Sequence, residues 1–325
     1  MPSGEVRNAG YLAVDRGPEL ALKALAARLP GRWLESRAGE VDRWLDDLGR
    51  SELRLLVCGT SDTDAGRSVE SAARRAARKR GIPVVVIEDF PGNYFAVAGG
   101  EPRVVFVDSE FSARLARSKD RSPSIEISPS VRYDALRRKI AQIRHRAHET
   151  EDAVLWIGQP ETQDSLRTLR RLLPALEARG TSVWFRAHPR DPGYATGAYE
   201  GLRFEDLTAR SLDECLARRP RLVATQFSSV AIEAGFWGIP SLNVLFADVG
   251  GRRLAAKKGY SVPPWCEDGA AFLIVDPKDI DSVLDRALRS RAARHAVMQS
   301  FDRYFQVSTE GAPALIKLLY NQGLL

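Results

Sequence analysis

The run IPVVVIED (Ile82–Asp89) constrains the fold more than any other stretch of the sequence. Its β-branched residues follow one another without polar alternation, which is the pattern of a strand covered on both faces, and such strands belong to parallel sheets flanked by helices. Other short apolar runs repeat the pattern: GYLAV (10–14), LRLLVCG (53–59), RVVFVD (103–108), AVLWIGQP (153–160), TSVWFRAHP (181–189), LVATQ (222–226), SLNVLF (241–246) and AFLIVD (271–276). Each is closed by polar or turn residues, and segments of helical spacing lie between most of them. Strands alternating with helices predict an α/β chain with doubly wound parallel sheets.

The length of 325 residues suits two domains of about 150 residues each. The pattern restarts near Glu151, which divides the chain into 1–150 and 151–325, the second part closing with two terminal helices. Helices are expected at 17–29, 38–48, 68–80, 109–117, 131–148 and 211–218. Another should follow Gly158-Gln159-Pro160, capped by Thr162 or Asp164. DPGYATGAYEG (191–201) and the segment carrying Arg252, Arg253, Lys257 and Lys258 read as loops. Two such domains facing each other would bring the ends of both sheets to one cleft.

No run reaches the roughly 18 apolar residues of a membrane span, and the charged N-terminus leads into no secretory apolar segment. Cys58, Cys215 and Cys266 are odd in number and lack metal spacing, which predicts free thiols and a cytoplasmic location. Net charge is +6, compatible with acidic substrates or with peripheral contact at an anionic membrane face. The densest basic cluster, AARRAARKRG (72–81), falls in the last turns of a helix, where cations complement the dipole and face water. It has no aromatic interleaving, and no nucleic-acid motif accompanies it, so nucleic acid is not expected as a partner. His145 and His148 are three apart on a helix, but no third ligand is near, and no metal is predicted.

The chemistry concentrates at strand ends, where open α/β sheets bind ligands. Pro189 holds His188 in extended backbone just past a strand, and Arg186 alternates with it. Ser228-Ser229 stands where the next helix needs its N-cap, so hydroxyls, backbone N–H groups and the positive helix end converge there. Glu233 lies on that helix. This set suits a phosphate or diphosphate. In the first half the strand Ile82–Asp89 ends on two carboxylates, Glu88 and Asp89.

In these residues the chain resembles GT-B-type glycosyltransferases, and among them the bacterial sialyl-, Kdo- and glycerophosphate-transferring enzymes that use CMP- or CDP-activated donors. The shared features are the acidic pair Glu88-Asp89 with Gly92 nearby, His188-Pro189, and Ser228-Ser229. SSVAIEAGFWGIPSLNV also resembles the general GT-B segment whose helix glutamate, here Glu233, holds the donor ribose. Gly158-Gln159-Pro160 resembles a donor-side loop of that fold. The resemblance implies two Rossmann-like domains, the first on the acceptor side and the second binding the nucleotide-sugar. It implies an inverting transfer in the synthesis of bacterial surface polysaccharide or glycoconjugate, onto a glycan or lipid-linked acceptor, with no cofactor beyond the donor. Asp89 or Glu88 would be the base, and His188 would stabilise the departing phosphate. The motif EDFPG departs from the families' acidic-acidic-glycine and leaves the choice of carboxylate open. More distantly the chain is similar to the non-hydrolysing UDP-N-acetylglucosamine 2-epimerases. Their Ser-Gly-Gly is replaced here by Phe227-Ser228-Ser229, and Ile232-Glu233-Ala234 aligns with their Glu-Glu-Ala. A non-catalytic nucleotide- or anion-binding protein of the same fold is the other alternative.

Overall fold

The computed structural model describes residues 9–34, 41, 43, 53–143 and 151–325. The chain forms two compact units, one of residues 1–138 with 308–325 and one of residues 139–307. The division thus falls before Lys139 rather than near 150, and the last helix belongs with the first unit. The expected helix 38–48 and the pair His145/His148 lie largely or wholly outside the described residues.

Unit 1 contains strands β1 (Ala9–Leu12), β2 (Gly31–Trp33), β3 (Leu55–Cys58), β4 (Val84–Ile87), β5 (Val104–Val107) and β6 (Ser124–Ile127). They pair in parallel in the order β2-β1-β3-β4-β5-β6. Alternate residues serve opposite faces. Leu56, Cys58, Val84, Val86, Val105 and Val107 pack under Val69, Ala73 and Ala77 of α2 (Asp64–Lys79) and Ala113 and Ala116 of α3 (Glu110–Lys119). Leu55, Val57, Val85, Ile87, Val104 and Phe106 pack under Leu22 and Leu25 of α1 (Arg16–Ala26) and, on the same face, under residues from the chain's C-terminus. Helix α2 begins four residues before the expected start because Thr63 accepts the Gly66 N–H and caps it. Its register also places Arg74 on the buried face with Glu70, Ala73 and Ala77, so this member of the basic cluster does not face water. Its guanidinium donates to the carbonyls of Gly100 and Phe95.

Helix α4 (Asp134–Ile143) follows a 3₁₀ turn at Val131–Tyr133. Its first residue explains where the C-terminus goes. The N–H groups of Gly311 and Ala312 each donate to the Asp134 carboxylate at 2.7 Å, and Arg137 adds an ion pair at 2.6 Å.

Unit 2 contains β7 (Glu151–Ile157), β8 (Ser182–Arg186), β9 (Glu205–Asp206), β10 (Pro220–Thr225), β11 (Ser241–Val244) and β12 (Phe272–Ile274), all parallel, in the order β12-β11-β10-β7-β8-β9. Its helices are α5 (Thr162–Glu177), α6 (Pro192–Ala195), α7 (Leu212–Ala217), α8 (Val230–Phe236), α9 (Arg252–Lys258), α10 (Pro264–Glu267), α11 (Ile280–Arg289) and α12 (Arg291–Tyr304); α13 (Gly311–Asn321) closes unit 1. One sheet face carries Val154, Trp156, Phe185, Leu222, Val244 and Ile274 against leucines of α5 and α11. Helix α5 takes Glu161 as N-cap residue, without a side-chain cap from Thr162 or Asp164. Two segments read as loops are helical: α6, capped by Asp191, and α9. Arg253 straps α9 to the start of α5, reaching Glu161 at 2.8 Å and Asp164 at 2.7 Å. Trp156, Trp184 and Trp237 are buried, as expected of core residues.

Candidate functional site

In unit 2 the strand order reverses between β7 and β10, and the carboxyl ends flanking such a switch point form the crevice where doubly wound folds bind ligands. The residues singled out in this half stand along that edge. Gly158 follows β7 and donates its N–H to Arg186 O at 2.9 Å; a Cβ there would stand 3.2 Å from His188 N, so the glycine lets the ends of β7 and β8 close together. Gln159 crosses the switch point, its amide donating to Thr225 Oγ1 at 3.2 Å. His188 is half-buried, and its Nδ1 accepts the Arg190 N–H at 3.0 Å. A nitrogen that accepts carries no proton, so the imidazole is the Nε2–H tautomer. Burial, with Arg190 second, pushes its pKa below the ordinary value, which keeps it neutral. Arg186 ends β8 and donates Nε to Arg210 O at 3.3 Å.

The serine pair departs from expectation. Ser229 is the N-cap residue of α8, but its backbone is already helical (φ −59°, ψ −14°) and its side chain does not cap; capping by a hydroxyl requires extended backbone. Ser228 Oγ instead accepts the Val230 N–H at 3.2 Å. Glu233 is half-buried on α8. The back of that helix is fixed by Phe236, which meets Phe301 edge to face at 5.5 Å.

Buried amides that sequence reasoning passed over hold the β10–α8 loop. Gln226 donates to Asp164 O and Thr168 Oγ1, while Asn243 donates to Gln226 O at 2.8 Å and accepts from Trp265 and Cys266. Their signal was polarity inside otherwise apolar strand ends.

In unit 1 the order reverses between β1 and β3. Asp15, after β1, accepts the N–H groups of Asp62 and Thr63 and the Thr63 hydroxyl, while its own N–H donates to Ser61 Oγ. Ser61 donates both its N–H and its hydroxyl to Glu70, at 2.9 and 2.6 Å. Burial pushes the Glu70 carboxyl up to about 7. Glu70 sits three and seven residues before Ala73 and Ala77 on the apolar stripe of α2, which is the sign by which it could have been found.

Strand alternation parts the acidic pair. Glu88 continues the face of Val84 and Val86. Its Oε1 accepts the Tyr94 N–H at 2.8 Å, its Oε2 meets no donor, and burial raises its pKa to about 8, so at neutral pH it holds its proton. Asp89 continues the other face. Its Oδ1 accepts from the Thr60 hydroxyl and from Asn93 Nδ2, both at 3.0 Å, and its Oδ2 lies 3.5 Å from Arg132 Nη1. A Cβ on Gly17 would stand 2.3 Å from that oxygen, so only glycine admits the carboxylate beside the first turn of α1. Among the described residues no group of three or more His, Cys, Asp or Glu could hold a metal ion, and no helix is long and apolar enough to cross a membrane.

No protein-family model matches the sequence, and no curated protein matches it. Solved structures do match along the whole chain. A UDP co-structure of MnaA from S. aureus is 12% identical, with a TM-score of 0.61 over 98% of both chains. The UDP-GlcNAc 2-epimerase of Methanocaldococcus jannaschii in complex with UDP-GlcNAc and UDP is 13% identical, with a TM-score of 0.58 over 94% of this chain and all of that one. The calicheamicin glycosyltransferase CalG4 is 14% identical, with a TM-score of 0.55 over 97% of this chain and 98% of that one. At such identities the likeness is one of fold: two Rossmann-like α/β domains of the GT-B kind, shared by glycosyltransferases and 2-epimerases.

Proposed function

We propose that the chain is a nucleotide-sugar-dependent glycosyltransferase of the GT-B kind, inverting and needing no cofactor beyond its donor, with the donor on unit 2 and the acceptor on unit 1. One observation carries the reading. Gly158, Gln159, His188 and Ser228 stand at the carboxyl ends of β7, β8 and β10 around the switch point of unit 2, on a fold whose neighbours include structures with UDP. The neutral His188 donates from Nε2 to a donor phosphate oxygen, whose charge grows as the glycosidic bond breaks. Ser228, its oxygen occupied by the Val230 N–H, keeps its own proton to donate. Arg186 adds positive charge, and Glu233 takes the ribose hydroxyls. Asp89 removes the proton of the acceptor hydroxyl. That oxygen bonds the anomeric carbon as the nucleotide leaves with the electron pair of the old C–O bond.

The finer reading is a CMP- or CDP-activated sugar passed to a glycan or lipid-linked acceptor of a bacterial surface. Phe227-Ser228-Ser229, lacking the glycines of Ser-Gly-Gly, supports it. The exposed cations Arg75, Arg78 and Lys79 of α2 support contact with an anionic membrane. A UDP-sugar 2-epimerase is the second reading, favoured by the neighbours of that name. Thermal shifts with CMP, CDP, UDP and GDP separate the two, since a ligand that binds only the folded chain raises its stability. Stabilisation by a cytidine nucleotide supports the transferase, preference for UDP moves the balance to the epimerase, and no response to any of the four sinks both. His188→Ala should weaken the preferred nucleotide about ten- to hundred-fold, the scale of one hydrogen bond to a charged group.

A further inference from the structure

We propose that Asp191 is a positioning residue for His188: held by Thr162 and Tyr199, it closes the turn that presets the imidazole as a one-sided Nε2–H donor. The functional use of that donor rests on the nucleotide-binding reading above, whereas the geometry of the turn does not. Residues 188–191 are closed twice, once by the Asp191 N–H donating to His188 O at 2.9 Å and once by the Arg190 N–H donating to His188 Nδ1. Pro189 between them has no N–H to compete. What fixes the far end of this turn is the buried Asp191 carboxylate. Its Oδ1 accepts the Thr162 hydroxyl and the Gly193 N–H, and its Oδ2 accepts the Tyr199 hydroxyl at 2.5 Å.

Each partner is itself anchored. Thr162 opens α5 and also accepts the Gly193 N–H at 3.0 Å. A Cβ on Gly193 would come within 2.0 Å of the Thr162 methyl, so the two backbones meet without room for a side chain. The Tyr199 ring packs on Phe185 of β8 at 4.7 Å between centroids. The carboxylate is therefore bolted to both the β7–α5 connection and β8, the elements that flank His188. Free imidazole exchanges its proton between two nitrogens, and a loop free to move would let Nδ1 turn outward as often as Nε2. With Nδ1 committed to Arg190, only a donor is left for a ligand, which selects an anionic oxygen and rejects a donor group. The charged groups that act on the ring are Arg190 and Arg186, which disfavour its cationic form, and Glu161 and Asp191, which favour it.

Imidazole ¹⁵N NMR of the full-length protein tests this directly. The chain has four histidines, and His188→Gln assigns the signal. In the native protein His188 should show one tautomer, protonated on Nε2, with a midpoint below the ordinary value. Tyr199→Phe keeps the ring on Phe185 and removes the hydroxyl, and Asp191→Asn keeps the shape and removes the charge. Either variant should show mixed tautomers, with affinity for UDP or CMP falling about ten-fold by calorimetry. Tyr199→Phe, which leaves the charges in place, should also move the midpoint up toward free imidazole, whereas Asp191→Asn in addition removes a charge that favours the cation. If Asp191→Asn does not fold, Tyr199→Phe decides. Folded variants with native ¹⁵N shifts and midpoint would overturn the proposal. If the tautomer responds while the native protein binds neither nucleotide, the positioning role stands and the nucleotide reading falls.

Discussion

At the scale of single residues, two neighbouring carboxylates show how little sequence adjacency says about role. Glu88 and Asp89 leave the same strand, yet one is buried among α2-side groups and the other is ringed by a hydroxyl, an amide and a guanidinium. Glu88 makes a prediction through its proton. An unfolded carboxyl ionises near 4.5, and the folded one near 8. Between those values the folded chain holds a proton that the unfolded chain has released, so its contribution to stability is full below 4.5 and lost as pH rises through 8. The slope in that window is about 1.4 kcal/mol per pH unit. Glu70, raised to about 7 by burial, acts in the same direction. Glu88→Gln stays neutral at every pH and removes one of the two slopes. Denaturant melts should therefore show the variant gaining on the native protein from pH 5 to pH 8. An unchanged difference across that range would mean that Glu88 is ionised in the fold.

At the scale of elements, the strands were legible because their signal is local: β4 and β8 lie inside the runs that their apolar residues mark, and β10 overlaps its run but starts two residues before it, at Pro220. The polar residues at their ends were legible as a set for the same reason. What escaped was information that neighbours in space supply. Nothing in SSVAIEAG says that Ser229 enters the helix with helical backbone, nor that Asn243, fourteen residues later, reaches back to the loop. Arg74 looked like a solvated cation until the carbonyls of Phe95 and Gly100 appeared beside it. Gly235 shows the same dependence. A Cβ there would stand 2.2 Å from the Phe301 ring, an aromatic wall that cannot swing aside as a flexible chain end would. Gly235→Ala should displace α8 from α12 and carry Ser228, Ser229 and Glu233 with it. We expect a loss of stability of about 1–3 kcal/mol, the usual cost of overpacking, together with weakened nucleotide affinity. Phe301→Leu in the same chain should relieve both effects. Failure of that rescue in melting and calorimetry would show that Gly235 matters for some reason other than the ring.

At the scale of the whole molecule, the sequence pattern restarts near residue 151, but the cooperative unit does not end where the chain does. Helix α13 buries Ala312, Leu315 and Leu319 completely against unit 1, and Asp134 holds its first N–H groups. The approach is so close that a Cβ on Gly311 would fall 2.4 Å from Pro129 O, a backbone atom that cannot yield cheaply. A fragment of residues 151–325 would therefore carry an apolar helix face torn from its partner, with about 2 kcal/mol of burial lost for each of the two leucines. A fragment of residues 139–307 would carry none. We expect the shorter one to run as a monomer in gel filtration, to unfold in a single transition and to bind the nucleotide that stabilises the full chain. The longer one should associate or aggregate through α13. In the intact protein Gly311→Ala should lower the melting temperature by unseating the same helix, while His188 keeps its native ¹⁵N spectrum because no atom of unit 2 is altered. A 151–325 fragment as monomeric and as soluble as 139–307 would show that α13 needs no cover, and the assignment of the last helix to unit 1 would lose its energetic basis.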